Sequence, residues 1–221
     1  MSQSVQVCLD SRQRVFALIT AMAGMVETAV DESINAVLGG NVQLAQGVVQ
    51  RESLVNQMEM HVDRAILARL AQRDLDAEDI RSMASILKIN KDLERMGDLA
   101  ANIARKVGEM AEYGASCKRS ELQPMAIAVS HMCRKTLRAL VRQDVVLAES
   151  ARGDKGLVHD YRNYVFGRIR ERLGRGTPDP AADVTLLMAS RSLEQIADHA
   201  ANLADTLFFW MRPQSEDERV A

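Results

Sequence analysis

Leu93-Glu94-Arg95-Met96-Gly97-Asp98-Leu99-Ala100-Ala101-Asn102-Ile103-Ala104 returns one hundred residues later as Leu193-Glu194-Gln195-Ile196-Ala197-Asp198-His199-Ala200-Ala201-Asn202-Leu203-Ala204. In both copies the apolar residues step by three and four. Ile86, Ile89, Leu93, Met96, Ala100, Ile103, Val107 and Met110 make one seam; Leu186, Ala189, Leu193, Ile196, Ala200, Leu203, Leu207 and Trp210 make the other. That period is helical, because about 3.6 residues per turn brings such positions to one face. Shared apolar spacing alone could be coincidence between two helices. Matching Glu, Asp and Asn off the seam is a stronger sign, and it makes the chain one unit of about 100 residues used twice.

Outward from these two stretches, the pattern predicts six long helices, over 9–38, 41–73, 77–113, 119–151, 155–174 and 181–211. The breaks are Gly39-Gly40-Asn41, Gly114-Ala115-Ser116, and Gly174 to Pro180, with Pro124 early in the second half and Pro213 after the last apolar run. Glycine and proline are the residues that interrupt helices. Val15, Leu18, Ile19, Met22, Val26, Ala29 and Val37 mark the first helix; Leu44, Val48, Val55, Met58, Val62 and Ile66 mark the second. Three helices per repeat give an all-α fold of two tandem three-helix bundles, residues 1–114 and 118–221.

Composition agrees. Apolar residues make up 47% of the chain but aromatics only 4%, so the core is built from Ala, Leu, Val, Ile and Met, which favours packed helices over sheets. The twelve methionines read as core filling. A net charge of −2 lacks the basic bias of a nucleic-acid binder. Cys8, Cys117 and Cys133 form no C-x-x-C pair and read as free thiols of a reducing compartment. No signal peptide opens the chain and no apolar run is long enough to span a bilayer, so the expected location is the cytoplasm.

The off-seam residues carry the chemistry. Glu94, Asp98 and Asn102 lie four apart, as do Glu194, Asp198 and Asn202. Residues at that spacing stack on one helix face. With Leu93 and Met96 on the seam, they are expected to point away from the bundle axis as a ridge of oxygens. Carboxylates one turn apart repel, and a hard or borderline divalent metal would relieve that repulsion. The competing reading is an ordinary solvated face, with Lys91–Glu94, Arg95–Asp98 and Arg191–Glu194 as weak surface pairs.

These residues resemble the paired E-x-x-x-D motif of the PhoU family of phosphate-uptake regulators, and the similarity extends over about 12–212, including Met25-Val26-Glu27 and Glu52-Ser53-Leu54-Val55-Asn56. The resemblance implies two three-helix bundles with acidic motifs on the second and third helix of each, able in some members to hold iron or zinc clusters; manganese is a further candidate. It implies a cytoplasmic negative regulator that contacts a phosphate ABC transporter's cytoplasmic subunits and a sensor histidine kinase, and a homodimer. Carried over by position, the third-helix ligands are Glu94 and Asp98, then Glu194 and Asp198. The second-helix motif departs from the family: its first acid stands as Glu52 and Asp154, while Asn56 and Val158 replace its second. Asn keeps an oxygen and Val cannot ligate, so the first repeat is expected to bind metal more tightly. Gln195 also replaces the arginine that follows the family glutamate.

Other features point less sharply. There is neither H-E-x-x-H nor Glu-x-x-His, which counts against a zincin or a di-iron bundle oxidase, the alternative enzyme reading. A regulator of a different ion transporter is the other alternative. His199, beside Asp198, reads as a lone surface histidine, and Arg168, Arg170, Arg172 and Arg175 as cations suited to a helix C-terminus. Leu207 and Trp210 are expected in the core, and Phe208 and Phe209 against the other bundle or a partner.

Overall fold

The computed structural model describes residues 3–114, 117–177 and 179–212, with side chains from Ser11 onward. Ala115-Ser116, Pro178, Pro213 and the side chain of Cys8, each read from the sequence above, lie outside the described residues. The helices are α1 (Gln3–Gly39), α2 (Val42–Leu70), α3 (Ala77–Glu112), α4 (Gln123–Arg142), α5 (Val145–Arg152), α6 (Lys155–Gly174) and α7 (Pro180–Met211), with a 3-10 turn at Arg119–Leu122. No strand occurs among the described residues. Nor is any helix there long and apolar enough to cross a membrane.

Four helix starts have a local cause. Asn41, Asp76, Asp144 and Asp179 accept hydrogen bonds from the backbone N–H groups of Leu44, Asp79, Leu147 and Ala182, which a helix's first turn otherwise leaves unsatisfied. Gly40, at φ 65°, makes the reversal between α1 and α2.

The six long helices are present, but the fourth stops early. Gln143 takes a left-handed φ of 51° and its N–H reaches back to the Leu140 carbonyl, after which Asp144 caps the short α5. Neither glycine nor proline marks this break, so helical periodicity alone ran through it.

α1, α2 and α3 pack together, as do α4 to α7, and the two groups meet where α3 lies along α7 and α1 against α4. The α3–α7 pairing is antiparallel: Asp92 faces His199 at 2.9 Å, and the Trp210 indole N–H donates to Ser82 Oγ at 3.0 Å. All eight α3 seam residues named above are buried, as are those of α7 up to Leu207. Small buried side chains recur on both helices, Ala100, Ala101 and Ala104 on α3 and Ala197, Ala200, Ala201 and Ala204 on α7. Gly97, where the second copy has Ala197, lets α3 close on α2: a Cβ there would sit 3.0 Å from Val55 Cγ1.

A polar clamp locks the second and third helices of each repeat. Arg69, at the end of α2, is fully buried and reaches Asp79 in the first turn of α3 at 2.5 Å. Arg172, near the end of α6, reaches Asp183 in the first turn of α7 at 2.6 Å, and Glu121 of the 3-10 turn at the same distance. A buried charge that loses its partner is expensive. Arg69→Ala should therefore lower the unfolding free energy by roughly 3–5 kcal/mol in urea titration. Arg12→Ala, which removes a half-exposed arginine 3.5 Å from the same Asp79, should cost less than about 1 kcal/mol. Similar losses from the two would mean that Arg69 is not what compensates Asp79.

Candidate functional site

Between residues 91 and 109, where α3 packs on α1, α2 and α7, only Lys91, Arg95, Asn102, Arg105 and Glu109 are exposed. Asp98 is half-buried. Glu94 is buried, with 8% of its surface exposed, and so does not stand on a solvated ridge as its off-seam position led us to expect. The reason is the third neighbour. A helix packed on three sides buries more than its apolar seam, and Glu94 lies with Lys91, whose ammonium pairs with Glu59 of α2.

In the first repeat Glu94 Oε2 lies 3.0 Å from Lys91 Nζ and 3.5 Å from Arg95 Nε, and Arg95 Nη1 lies 3.5 Å from Asp98 Oδ2. Glu52 of α2 is half-buried and ion-paired with Arg105. Asn56, one turn on, is exposed. The acids sense one another. Burial pushes the Asp98 carboxyl up from its usual 3.8, the charges of Glu94 and Glu52 push it further, and Arg95 partly offsets them. The hydrogen bond with Glu94 in turn raises the Lys91 ammonium.

The second repeat keeps the acids but neutralises each with its own cation. Glu194 lies 2.9 Å from Arg191, 3.4 Å from Arg162 and 3.6 Å from His159. Asp198 takes Lys155 at 2.9 Å. Asp154 takes Lys135 of α4 at 3.0 Å. Val158 is a core residue, 1% exposed. The pairs Lys91–Glu94, Arg95–Asp98 and Arg191–Glu194, read from spacing, all form.

Among the described residues no three Asp, Glu, His or Cys side chains converge as a ligand set. The first ridge nevertheless has the chemistry a divalent cation suits, since Glu52, Glu94 and Asp98 are crowded oxygen donors whose repulsion a cation would relieve. The second ridge fits less well, because Arg191 and Arg162 hold Glu194, Lys155 holds Asp198, Lys135 holds Asp154, and Val158 offers no oxygen.

Several side chains stand elsewhere than the sequence led us to expect. His199 is not solitary: it bridges the halves through Asp92. Trp210 is the aromatic that reaches the other bundle, while Phe208 lies under the Arg152 guanidinium at 5.0 Å and Phe209 is exposed. Arg172 does more than favour a helix end, since it closes a clamp. Cys117 and Cys133 are buried and burial pushes both thiols up, the opposite of activation. Sequence reading missed the Arg69–Asp79 and Arg172–Asp183 clamps. Their signal was an arginine at the end of each second helix and an aspartate in the first turn of each third.

A raised folded pKa means that the folded chain holds the Asp98 proton more tightly than the unfolded chain does, so ionisation costs stability as pH rises through the carboxylate range. Asp98→Asn should raise the melting temperature at pH 7, and that gain should vanish as pH falls below the ordinary aspartate value of 3.8. Asp198→Asn, which gives up the Lys155 pair, should show no such gain. A destabilised Asp98→Asn at pH 7 would contradict the assigned repulsion.

The PhoU domain family matches this chain twice, over 19–107 and 122–207. A phosphate-specific transport system accessory protein PhoU homologue of Pseudomonas aeruginosa is 35% identical over 199 residues, 88% of this chain and 81% of that protein. The accessory protein PhoU of Escherichia coli is 28% identical over 197 residues, 89% of this chain and 81% of its own. The crystal structure of PhoU from Pseudomonas aeruginosa superimposes with a TM-score of 0.88 at 30% identity, over 91% of this chain and 97% of that one. The phosphate transport system regulatory protein PhoU of Streptococcus pneumoniae, at 21% identity, shares the fold with a TM-score of 0.83, over 91% and 95% of the two chains.

Proposed function

This chain belongs to the PhoU domain family, and we propose that it is a cytoplasmic accessory protein that restrains phosphate uptake and the phosphate-starvation response. Like its relatives it is a regulator rather than an enzyme. The observation that carries this reading is the pairing of two PhoU repeats in one fold with 35% identity to an accessory protein of a phosphate-specific transport system. The proposed action is binding. The chain would contact the cytoplasmic subunits of a phosphate ABC transporter and a sensor histidine kinase, as a homodimer, and hold them in the phosphate-replete state. A binder shifts such an equilibrium only through different affinities for its two states. The test is a phosphate-regulated reporter in a strain lacking the protein. Deletion should derepress it in phosphate-rich medium and the wild-type chain should silence it again. A reporter that stays silent after deletion overturns the phosphate reading.

Metal is the second part of the proposal. Glu52, Glu94 and Asp98, with Asn56 as a neutral oxygen, would hold iron, zinc or manganese once Arg105 releases Glu52, and the ion would supply the charge that relieves the repulsion at Asp98. Glu94→Ala with Asp98→Ala should therefore remove more bound metal, by elemental analysis of protein purified without chelator, than Glu194→Ala with Asp198→Ala. Equal loss from both pairs, or no metal in the wild type, counts against this assignment.

A further inference from the structure

On the side of α2 that faces α1, Ser11, Arg14, Leu18, His61, Arg64, Ala65, Ala68 and Gln72 line a groove of about 580 Å³. Their spacing explains it. Positions 11, 14 and 18 share one face of α1, 61, 64, 65 and 68 share one face of α2, and Gln72 follows in the turn after α2. The helices run antiparallel there, as the Ser11–Gln72 hydrogen bond at 3.4 Å fixes. Ala65 and Ala68 present only methyl groups where longer side chains would close the gap between the helices.

The charge of this groove is one-sided. Two guanidinium groups and an imidazole line it, and no carboxylate does. The acids nearby are engaged elsewhere. Asp63 accepts a hydrogen bond from Asn90, Glu59 pairs with Lys91, Glu78 with Arg12, and Asp79 with Arg69 and Arg12. Among the described residues none pairs with Arg14 or Arg64. The larger groove between α3, α6 and α7 differs in just this respect, since its Arg105, Lys106, Arg162 and Arg191 are all held by Glu52, Glu109 or Glu194.

We infer that the α1–α2 groove is a binding site for a small phosphorylated organic anion carrying more than one negative charge, of the class of nucleoside polyphosphates. Arginine forks match phosphate oxygens in two-point contacts, and two of them with an imidazole N–H answer several charges at once. The volume lies in the range of small-molecule sites, roughly 300–1,000 Å³, and Leu18, Ala65 and Ala68 offer an apolar bed for the organic part. This site is distinct from the acidic ridge between α2 and α3 and stands whether or not the transporter reading does.

Isothermal titration calorimetry of the full chain, with EDTA present so that metal on the acidic ridge plays no part, tests the inference with ATP, inorganic tripolyphosphate and adenosine. ATP should bind more tightly than tripolyphosphate, and adenosine should give no heat. Arg14→Ala and Arg64→Ala should each weaken ATP about tenfold or more, as the loss of a charge-assisted hydrogen bond does. Ala68→Leu, which fills the exposed groove and leaves its charges, should weaken ATP too. Among the described residues neither arginine has a partner to lose, so each substitution should leave the fold intact. The site is wrong if millimolar ATP gives no heat, if the double arginine variant binds ATP unchanged, or if the chain binds phosphatidylglycerol vesicles and not ATP.

Discussion

α3 and α7 run antiparallel along their apolar seams, and each supplies the neighbour that the other's bundle lacks. α3 is thereby enclosed by α1, α2 and α7, and α7 by α4, α5, α6 and α3. Everything polar on these helices is arranged around that burial. Glu94 has no free face to occupy, Asp92 and His199 meet across the join, and Trp210 ends α7 with its N–H on Ser82. The second link between the halves, α1 against α4, is polar: Asp31 accepts from Ser130 and from Arg134, each at 2.7 Å.

Duplication kept the frame and let the charges diverge. Both copies retain the arginine clamp that ties the second helix to the first turn of the third, because a buried aspartate without it would be costly in either half. The acidic ridges are freer, being nearer solvent. In the first, three carboxylates remain close enough to raise Asp98. In the second, Lys135, Lys155, His159 and Arg162 have entered from α4 and α6, and Val158 has joined the core where an acid would stand. The same geometry thus carries different electrostatics: the first copy's acids share Lys91, Arg95 and Arg105 and leave Asp98 raised, while Glu194, Asp198 and Asp154 are each met by a separate cation.

Periodicity made most of this fold legible. The seams of the third and last helices were readable because their steps of three and four persist over several turns, and the repeat because off-seam residues match. What periodicity could not show was burial off the seam. It counts the apolar face a helix needs against one neighbour, and α3 has three, so Glu94 read as exposed. The break at Gln143 was silent for a related reason: a left-handed residue that is not glycine leaves no mark in composition. The clamps escaped because an arginine near a helix end has an ordinary explanation, and only the other helix's aspartate, ten or eleven residues on, gives it a structural one. The acidic positions themselves were visible by spacing. Which of them lie near one another, and which are met by lysine or arginine, depends on α2 and α6, whose own patterns say nothing of it.

The first repeat therefore carries two polar features of opposite sign on the two sides of α2. Towards α3 lie the crowded carboxylates; towards α1 lies a groove lined by Arg14 and Arg64, which pair with no acid among the described residues. A cation on the first and an anion on the second would each relieve an imbalance built into the folded chain. Both would bear on the same helix, which α1 and α3 hold through Val48, Val55, Val62 and Ile66. Linkage then applies: if occupancy of one side changes how α2 sits, affinity on the other side must change by the same factor in both directions. In a protein proposed to act by binding, such a helix is where the state of a small ligand could be converted into a different face for a partner.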